Sequence, residues 1–349
     1  MGKRASLLFA AVALVWGIPY LFIKLAVEEG LSPGFVAWSR VAIAAALLLP
    51  LAWRLDALRG MRARLKPLLA FSLCEVAIPF PLIAAGEQRV SSSLAAILIA
   101  ALPLVIAVLA LRFDSAERVT GLRLLGLLIG LAGVVVLLGI DVAGRAGELL
   151  GAAMVLLATV GYAAGSMIVK RRLSDVSPLG PVAAAMGIST LGLAPVALVS
   201  WPASVPSGTA LWSVAVLGVV CSALAFVLYF SLIAEIGPSR ASVITYLNPA
   251  VAVVLGVALL DERLATSAIA GLLLILAGSW LSTDGRLPPG LAQLQRSATS
   301  SSSRSVSSPS SRGEGTIVDL TLRISSALSI ASEMPSAVKG KRDCISDHG

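Results

Sequence analysis

Apolar segments of about twenty residues recur along nearly the whole of the first 282 positions, and they constrain this chain more than any other feature. A helix rises ~1.5 Å per residue, so roughly 20 mostly apolar residues cross the ~30 Å hydrocarbon core of a bilayer. Segments of that size, bounded by charge, Gly or Pro, fall at about 5–27, 33–53, 67–85, 92–112, 120–140, 147–169, 178–200, 209–234, 239–260 and 264–282. They lack the period-two alternation of a barrel strand, and a helix satisfies its backbone polar groups internally. The expected fold is therefore an all-α membrane protein with ten transmembrane helices. Composition agrees, because 57% hydrophobic and 13% charged residues leave too little polar surface to solvate a globular body.

Charge placement sets the expected topology. A net charge of +8 on a soluble domain would point to nucleic acid, but here the cations fall on one side of the spans. With both termini cytoplasmic, that side receives Lys3, Arg4, Arg54, Arg59, Arg62, Arg64, Lys66, Arg112, Arg118, Arg123, Lys170, Arg171, Arg172 and Arg240. The outer loops receive only Arg89, Arg145 and Arg263, as the positive-inside rule requires. The expected location is the inner (plasma) membrane, multi-pass, with the lipid bilayer and no nucleic acid as partner. The first segment has a basic start, yet no small-residue cleavage site precedes Lys24 and Glu28, so it is expected to stay as a helix.

Several chemistries lack their residues. Cys74 and Cys221 fall within spans and Cys344 near the end, without metal-ligand spacing, and the one histidine is His348. No metal, no cofactor and no Ser/His/Asp triad is expected, and no GxxxxGK[ST] loop is present, so the chain reads as a non-enzyme that does not use nucleotide.

A fixed offset runs through the spans. Glu117-Arg118, Gly126-Leu127-Leu128 and Leu131-Ala132-Gly133 recur 145 residues later as Glu262-Arg263, Gly271-Leu272-Leu273 and Leu276-Ala277-Gly278. Ser32-Pro33 returns as Ser177-Pro178 at 145, and at 146 Ser93, Ala95 and Pro103 return as Ser239, Ala241 and Pro249. Trp16-Gly17 aligns with Tyr162-Ala163. The reading is two repeats, 5–140 and 147–282. Because each holds five helices, an odd number, the second copy enters the membrane from the opposite side and the repeats are inverted. Inverted repeats commonly build alternating access around a central site.

On Trp16-Gly17, Arg40, the run from Ser93 through Pro103, Glu117-Arg118 with its Gly-rich fifth helix, and the block Pro238-Ser239-Arg240-Ala241, Asn248-Pro249 and Asp261-Glu262-Arg263, the chain resembles the drug/metabolite transporter (EamA-type) family over residues 5–282. The resemblance implies a ten-helix fold with a central substrate cavity and, as function, a secondary transporter exporting small metabolites, amino acids or drugs. An uptake permease, a passive facilitator, and a receptor or scaffold acting through its tail stay open. Ten of the fifteen residues 297–311 are serine, and 283–349 lacks a continuous apolar face, so a disordered cytoplasmic tail is expected there.

Ionisable groups inside spans mark function by default. Glu75 lies ~12 Å into the third span, near the midplane, and is the candidate for coupling to protons. Arg40 enters the second span from the outer side and requires carbonyls, a carboxylate or an anionic substrate; Glu28 or Glu29 is its expected structural partner. Lys24 is expected to snorkel to the headgroups, although it shares one helix face with Trp16 and Tyr20 beside Pro19, a stripe that suits a cavity wall. Tyr162, Tyr229, Tyr246 and Asn248 complete the candidate substrate-binding set for a small-molecule substrate, with Pro79 and Ser166 beside them. Pro103 and Pro249 interrupt matching spans and are the candidate hinges. Since Glu75, Arg40 and the Trp16 stripe all lie in the first repeat, the chemistry is expected to lean to that half.

Overall fold

The computed structural model describes residues 3–113, 121–141, 146–236, 244 and 247–282. Among the described residues there are helices and short connections but no strand. In chain order the helices are α1 (Lys3–Glu28), α2 (Pro33–Arg54), α3 (Met61–Glu87), α4 (Ser92–Leu109), α5 (Leu122–Asp141), α6 (Ala146–Arg172), α7 (Leu179–Val199), α8 (Gly208–Ile236), α9 (Asn248–Leu259) and α10 (Thr266–Ser282). Seven of them, α1 to α4 and α6 to α8, are long and apolar enough to cross a membrane; α5, α9 and α10 are apolar over shorter described stretches. The tail, Tyr246, Glu117-Arg118 and Pro238 to Ala241 lie outside the described residues.

Helix starts follow local chemistry. Ser32 caps α2, its Oγ accepting from the Phe35 N–H at 3.2 Å, and Pro33, with no N–H to leave unpaired, takes the first turn. Ser91 and Ser207 cap α4 and α8 in the same way, each at 3.1 Å. Interruptions are equally local. α1 breaks at Ile18 ahead of Pro19, and α4 turns at Ala100 and Ala101 ahead of Pro103. α3 widens into a π turn at Leu73–Ala77, closed by the Ile78 N–H on the Leu73 carbonyl at 3.1 Å, and α8 does so at Val219–Leu224. These π turns occupy positions related by the 146-residue offset.

Packing follows the same offset. α5 lies on α10, α2 on α7 and α4 on α9, each helix against its own repeat counterpart, while α1 with α8 and α6 with α3 exchange under the offset. The α5–α10 seam is a glycine seam. A Cβ at Gly133 would stand 2.9 Å from the Gly271 carbonyl oxygen, and one at Gly278 would stand 2.6 Å from the Gly126 carbonyl oxygen and overlap Gly130 N. Gly126 corresponds to Gly271 and Gly133 to Gly278, so the contact is self-complementary and the two helices run antiparallel. α2 and α7 are antiparallel too: the start of α2 meets the end of α7 through Ser32 Oγ and the Ser200 carbonyl, 2.9 Å, and a Cβ at Gly180 would overlap the Ala57 carbonyl oxygen just beyond α2. Between them, Trp38 Nε1 donates to Thr190 O at 3.1 Å, and the Ser72 and Ser189 hydroxyls of α3 and α7 meet at 2.7 Å.

Polar contacts sort the helix ends into two groups. At one end Arg4 pairs with Glu235 at 3.6 Å, and Arg64 binds Asp175 in a fork at 2.6 and 2.5 Å. At the other, Ser207 Oγ donates to Glu29 at 2.6 Å, and Glu262 caps α4 by accepting from Ser92 N at 2.7 Å, Ser93 N at 3.0 Å and Ser93 Oγ.

Two predictions test this packing. Gly278→Leu drives a branched side chain into the α5 backbone and should destabilise the bundle by at least about 1–3 kcal/mol. The Gly192→Leu control, where an added Cβ meets nothing within 4 Å, should leave the thermal midpoint in detergent unchanged. The Arg64 fork holds the Asp175 carboxyl below its ordinary range. That contribution is present above the unfolded aspartate pKa and is lost as pH falls through the lower folded value. Both side chains are solvent-accessible, so the effect is small: Asp175→Asn should lower the midpoint slightly at pH 7, and the gap should close in acid.

Candidate functional site

The break in α1 sets the site. It leaves Trp16 and Gly17 just before the bend at Ile18 and turns Tyr20 into the bundle beyond it. A Cβ at Gly17 would overlap the Val251 side chain and stand 3.2 Å from the Asn248 carbonyl oxygen, so only glycine lets α1 rest on the start of α9. Trp16 meets Tyr229 at 4.5 Å between ring centroids and Phe226 edge-on at 5.9 Å, and both Trp16 and Tyr229 pack on Val12, Ala13, Leu232 and Ile244.

Arg40 is the cation at the centre of this region. Its Nε donates to Ser222 Oγ at 2.8 Å, and its guanidinium lies 4.2 Å over the Phe80 ring. Ser222 is fully buried within the α8 π turn and donates in turn to the Leu217 carbonyl at 2.9 Å. Neither Glu28 nor Glu29 is the partner of Arg40: Glu28 pairs with Lys24 at 3.5 Å and Glu29 accepts from Ser207. Both carboxylates sit at the helix ends, where a lysine and a hydroxyl are nearer. Among the described residues Arg40 has this one hydrogen bond and no ion pair, so its two terminal nitrogens have no hydrogen-bond partner there. Tyr20 and Tyr162 both lie within electrostatic reach of Arg40, and Tyr162 also of Tyr20 and Glu75.

Glu75 sits in the α3 π turn, half-buried, with Oε2 buried and unpartnered. Two glycines of α6 make its place. A Cβ at Gly165 would overlap Glu75 Oε2, and one at Gly161 would stand 2.7 Å from the Cys74 carbonyl oxygen and 3.0 Å from Pro79. The counterpart of Glu75 is Cys221, a buried free thiol in the matching turn.

The expected residues therefore divide. Tyr20 and Tyr162 lie within electrostatic reach of Arg40, Trp16 and Tyr229 meet each other beside Phe226, and Asn248 stands at the start of α9 with its Oδ1 buried and without a partner among the described residues. Tyr246 lies outside the described residues, and Ser166 is exposed. Lys24 does not snorkel. Its ammonium donates to the Glu87 carbonyl at 2.8 Å and the Val90 carbonyl at 3.2 Å, because the end of α3 offers bare carbonyls within its reach. Pro103 and Pro249 stand in the first turns of helical stretches that follow interruptions, on two helices that pack together. The second repeat contributes neutral partners to this half: Ser222, Phe226 and Tyr229 hold Arg40 and Trp16, because α8 packs across both α1 and α2. Sequence reading passed over Ser222 and Glu87. A serine in an apolar span carries little signal alone, and Glu87 stood just beyond the expected third span, which the structure extends to include it. Among the described residues no three His, Cys, Asp or Glu side chains are grouped to hold a metal.

Residues 3–139 and 149–283 each match the model of the EamA-like transporter family. Over 265 residues the chain is 31% identical to the uncharacterized inner membrane transporter YedA of Escherichia coli K12, covering 73% of this chain and 82% of that protein. It is 27% identical over 278 residues to an uncharacterized transporter of Archaeoglobus fulgidus, covering 79% and 97%, and 25% identical over 281 residues to the uncharacterized transporter YoaV of Bacillus subtilis, covering 78% and 94%. A protein of solved crystal structure aligns with 83% of this chain and 99% of its own, with a TM-score of 0.57 at 20% identity, and so shares the fold. The chain is a membrane transporter of the EamA-like family, with one family match in each of its two repeats.

Proposed function

We propose that the protein is a secondary active transporter that exports small metabolites, amino acids or drugs by alternating access, coupled to protons. Its frame is ten transmembrane helices in two inverted five-helix halves, 5–140 and 147–282, with 283–349 as a serine-rich cytoplasmic tail. The antiparallel packing of α5 on α10 and of α2 on α7 supports the inversion, since counterparts related by an axis in the membrane plane must run oppositely. The grouping of Arg4, Arg64, Asp175 and Glu235 at one end supports a shared side for the basic loops, cytoplasmic by the positive-inside rule. The name of the Escherichia coli relative supports the inner membrane.

One observation carries the substrate reading: Arg40 is anchored through Nε alone, over the Phe80 ring, with its two terminal nitrogens turned to no protein acceptor among the described residues. A guanidinium in that state suits a carboxylate or phosphate, which it holds in a fork, while Trp16, Tyr20, Tyr162 and Tyr229 take the rest of an amphipathic solute. Pro103 and Pro249 are the hinges, each removing a backbone donor at matching places in the two halves. Glu75 is the coupling group, held in a π turn without a cation partner among the described residues, so that a proton decides its charge.

The test is solute flux in proteoliposomes, screened over small carboxylates, amino acids and phosphates with and without a pH gradient. At least one solute should move, and faster with the gradient. Arg40→Lys, which keeps the charge but loses the fork, should weaken apparent affinity roughly 10–100-fold, about 1.5–3 kcal/mol. Unaltered affinity for every transported anion would remove Arg40 from the site. Glu75→Gln should give flux that ignores the pH gradient, and a normal pH response in that variant sinks the coupling role.

A further inference from the structure

Glu87 is the last residue of α3 and the one charged side chain of the described residues that is completely inaccessible, at 0% exposure. Among the described residues neither carboxyl oxygen receives a hydrogen bond, and no ammonium or guanidinium forms an ion pair with it. Burying an ionised carboxylate in that state is very costly, so something must complete it.

The groups around it narrow what that is. From α1 come Lys24, Glu28 and Tyr20; from α2, Arg40; and from the α9–α10 connection, Glu262. From the start of α4 come the hydroxyls of Ser92 and Ser93, and α6, packed on the same end of α3, carries Glu148 near its beginning and Thr159 further along. Lys24 does not neutralise the carboxyl, since its ammonium is spent on the Glu87 and Val90 carbonyls and on Glu28. Glu262 opposes a second negative charge nearby, and its own oxygens are committed to Ser92 and Ser93. A sodium ion would need several further oxygen ligands, and among the described residues no three His, Cys, Asp or Glu side chains are grouped to hold a metal. A proton needs none.

A cavity of about 420 Å³ opens beside this place, lined among others by Lys24, Glu28, Val90, Glu148, Glu262 and Arg263. Lys24 lines the cavity and also donates to the Glu87 backbone carbonyl, so it joins the two places. We propose that Glu87 is a proton-binding site, separate from Glu75, which exchanges its proton with the cavity at the Lys24 end of the bundle. In the present arrangement the carboxyl is the neutral acid. When the Lys24 ammonium leaves the two carbonyls and turns to the carboxyl, the O–H bond breaks, the proton passes to cavity water, and the carboxylate left behind pairs with Lys24. Tyr20, within electrostatic reach of both Glu87 and Arg40, links this exchange to the central site. The consequence for flux rests on the transport reading above, whereas the site itself does not.

The experiment is infrared spectroscopy of the full chain in lipid nanodiscs, in sodium-free buffer, following the carbonyl stretch of protonated carboxyl groups against pH. At pH 7 the wild type should show a component that Glu87→Gln removes and Glu75→Gln leaves in place. Glu87→Asp should shift that component rather than delete it, which keeps the assignment testable if the glutamine variant folds poorly. Lys24→Gln should move the loss of the component at least one pH unit toward alkali, since the cation that pairs with the carboxylate is gone. An unchanged spectrum in Glu87→Gln, a component that disappears when sodium is added, or no shift in Lys24→Gln each overturns the proposal. Because no substrate is needed, failure here leaves the Arg40 and Glu75 flux results standing, and failure of those leaves this one standing.

Discussion

Inside hydrocarbon no water is at hand for an unpaired backbone N–H or C=O, and this requirement governs the whole molecule. Unbroken helix is the cheapest answer, so every interruption must be relieved by protein. The interruptions here are few and placed. The bend at Ile18 faces α9 and α8, the α3 π turn faces the glycines of α6, and the α8 π turn faces Arg40 through Ser222. Each lies where the two repeats touch. The same places hold Trp16, Glu75 and Ser222, so loosened backbone and polar chemistry coincide, as they do when irregular backbone is tolerated only against a protein-lined site.

Glycine makes that coincidence possible. Helix association in lipid gains little from burial, because the tails are as apolar as leucine, and depends on close approach and on side-chain hydrogen bonds. Gly126, Gly133, Gly271 and Gly278 close the α5–α10 seam, while Gly161 and Gly165 bring α6 against the π turn of α3. The serines and the tryptophan between α2, α3 and α7 add directed bonds where small residues alone would allow sliding.

Much of this was legible in the chain, and the reason is physical. Spans, glycines and prolines act through the backbone, and the backbone is what the duplication copied, so Pro103 with Pro249 and Gly133 with Gly278 could be read from their offset. Contacts between halves were less legible. Arg40 and Ser222 are 182 positions apart, and nothing local in either tells of the other. Lys24 offered a clue that was missed: it recurs at the 146-residue offset as Lys170, which points to a role in the shared frame, and the structure gives it carbonyls at the end of α3. Glu87 had no such clue, because a glutamate at the edge of an apolar segment looks like the start of a loop until the helix is seen to continue.

The frame is symmetric but its chemistry is not, and the asymmetry has a direction. The position of Arg40 falls in the second repeat on Ala185 at the 145 offset or Met186 at 146, that of Glu75 on Cys221 and that of Glu87 on Ile233, so these ionisable groups stand in one copy while the other is uncharged there. The second repeat answers with neutral partners, Ser222 for Arg40 and Tyr229 for Trp16. A symmetric pair of charged sites would put two costly groups in the membrane for each one used. With a single set, the two halves of the bundle differ in charge although their helices pack alike. A transporter whose frame is symmetric in its packing thereby acquires sides.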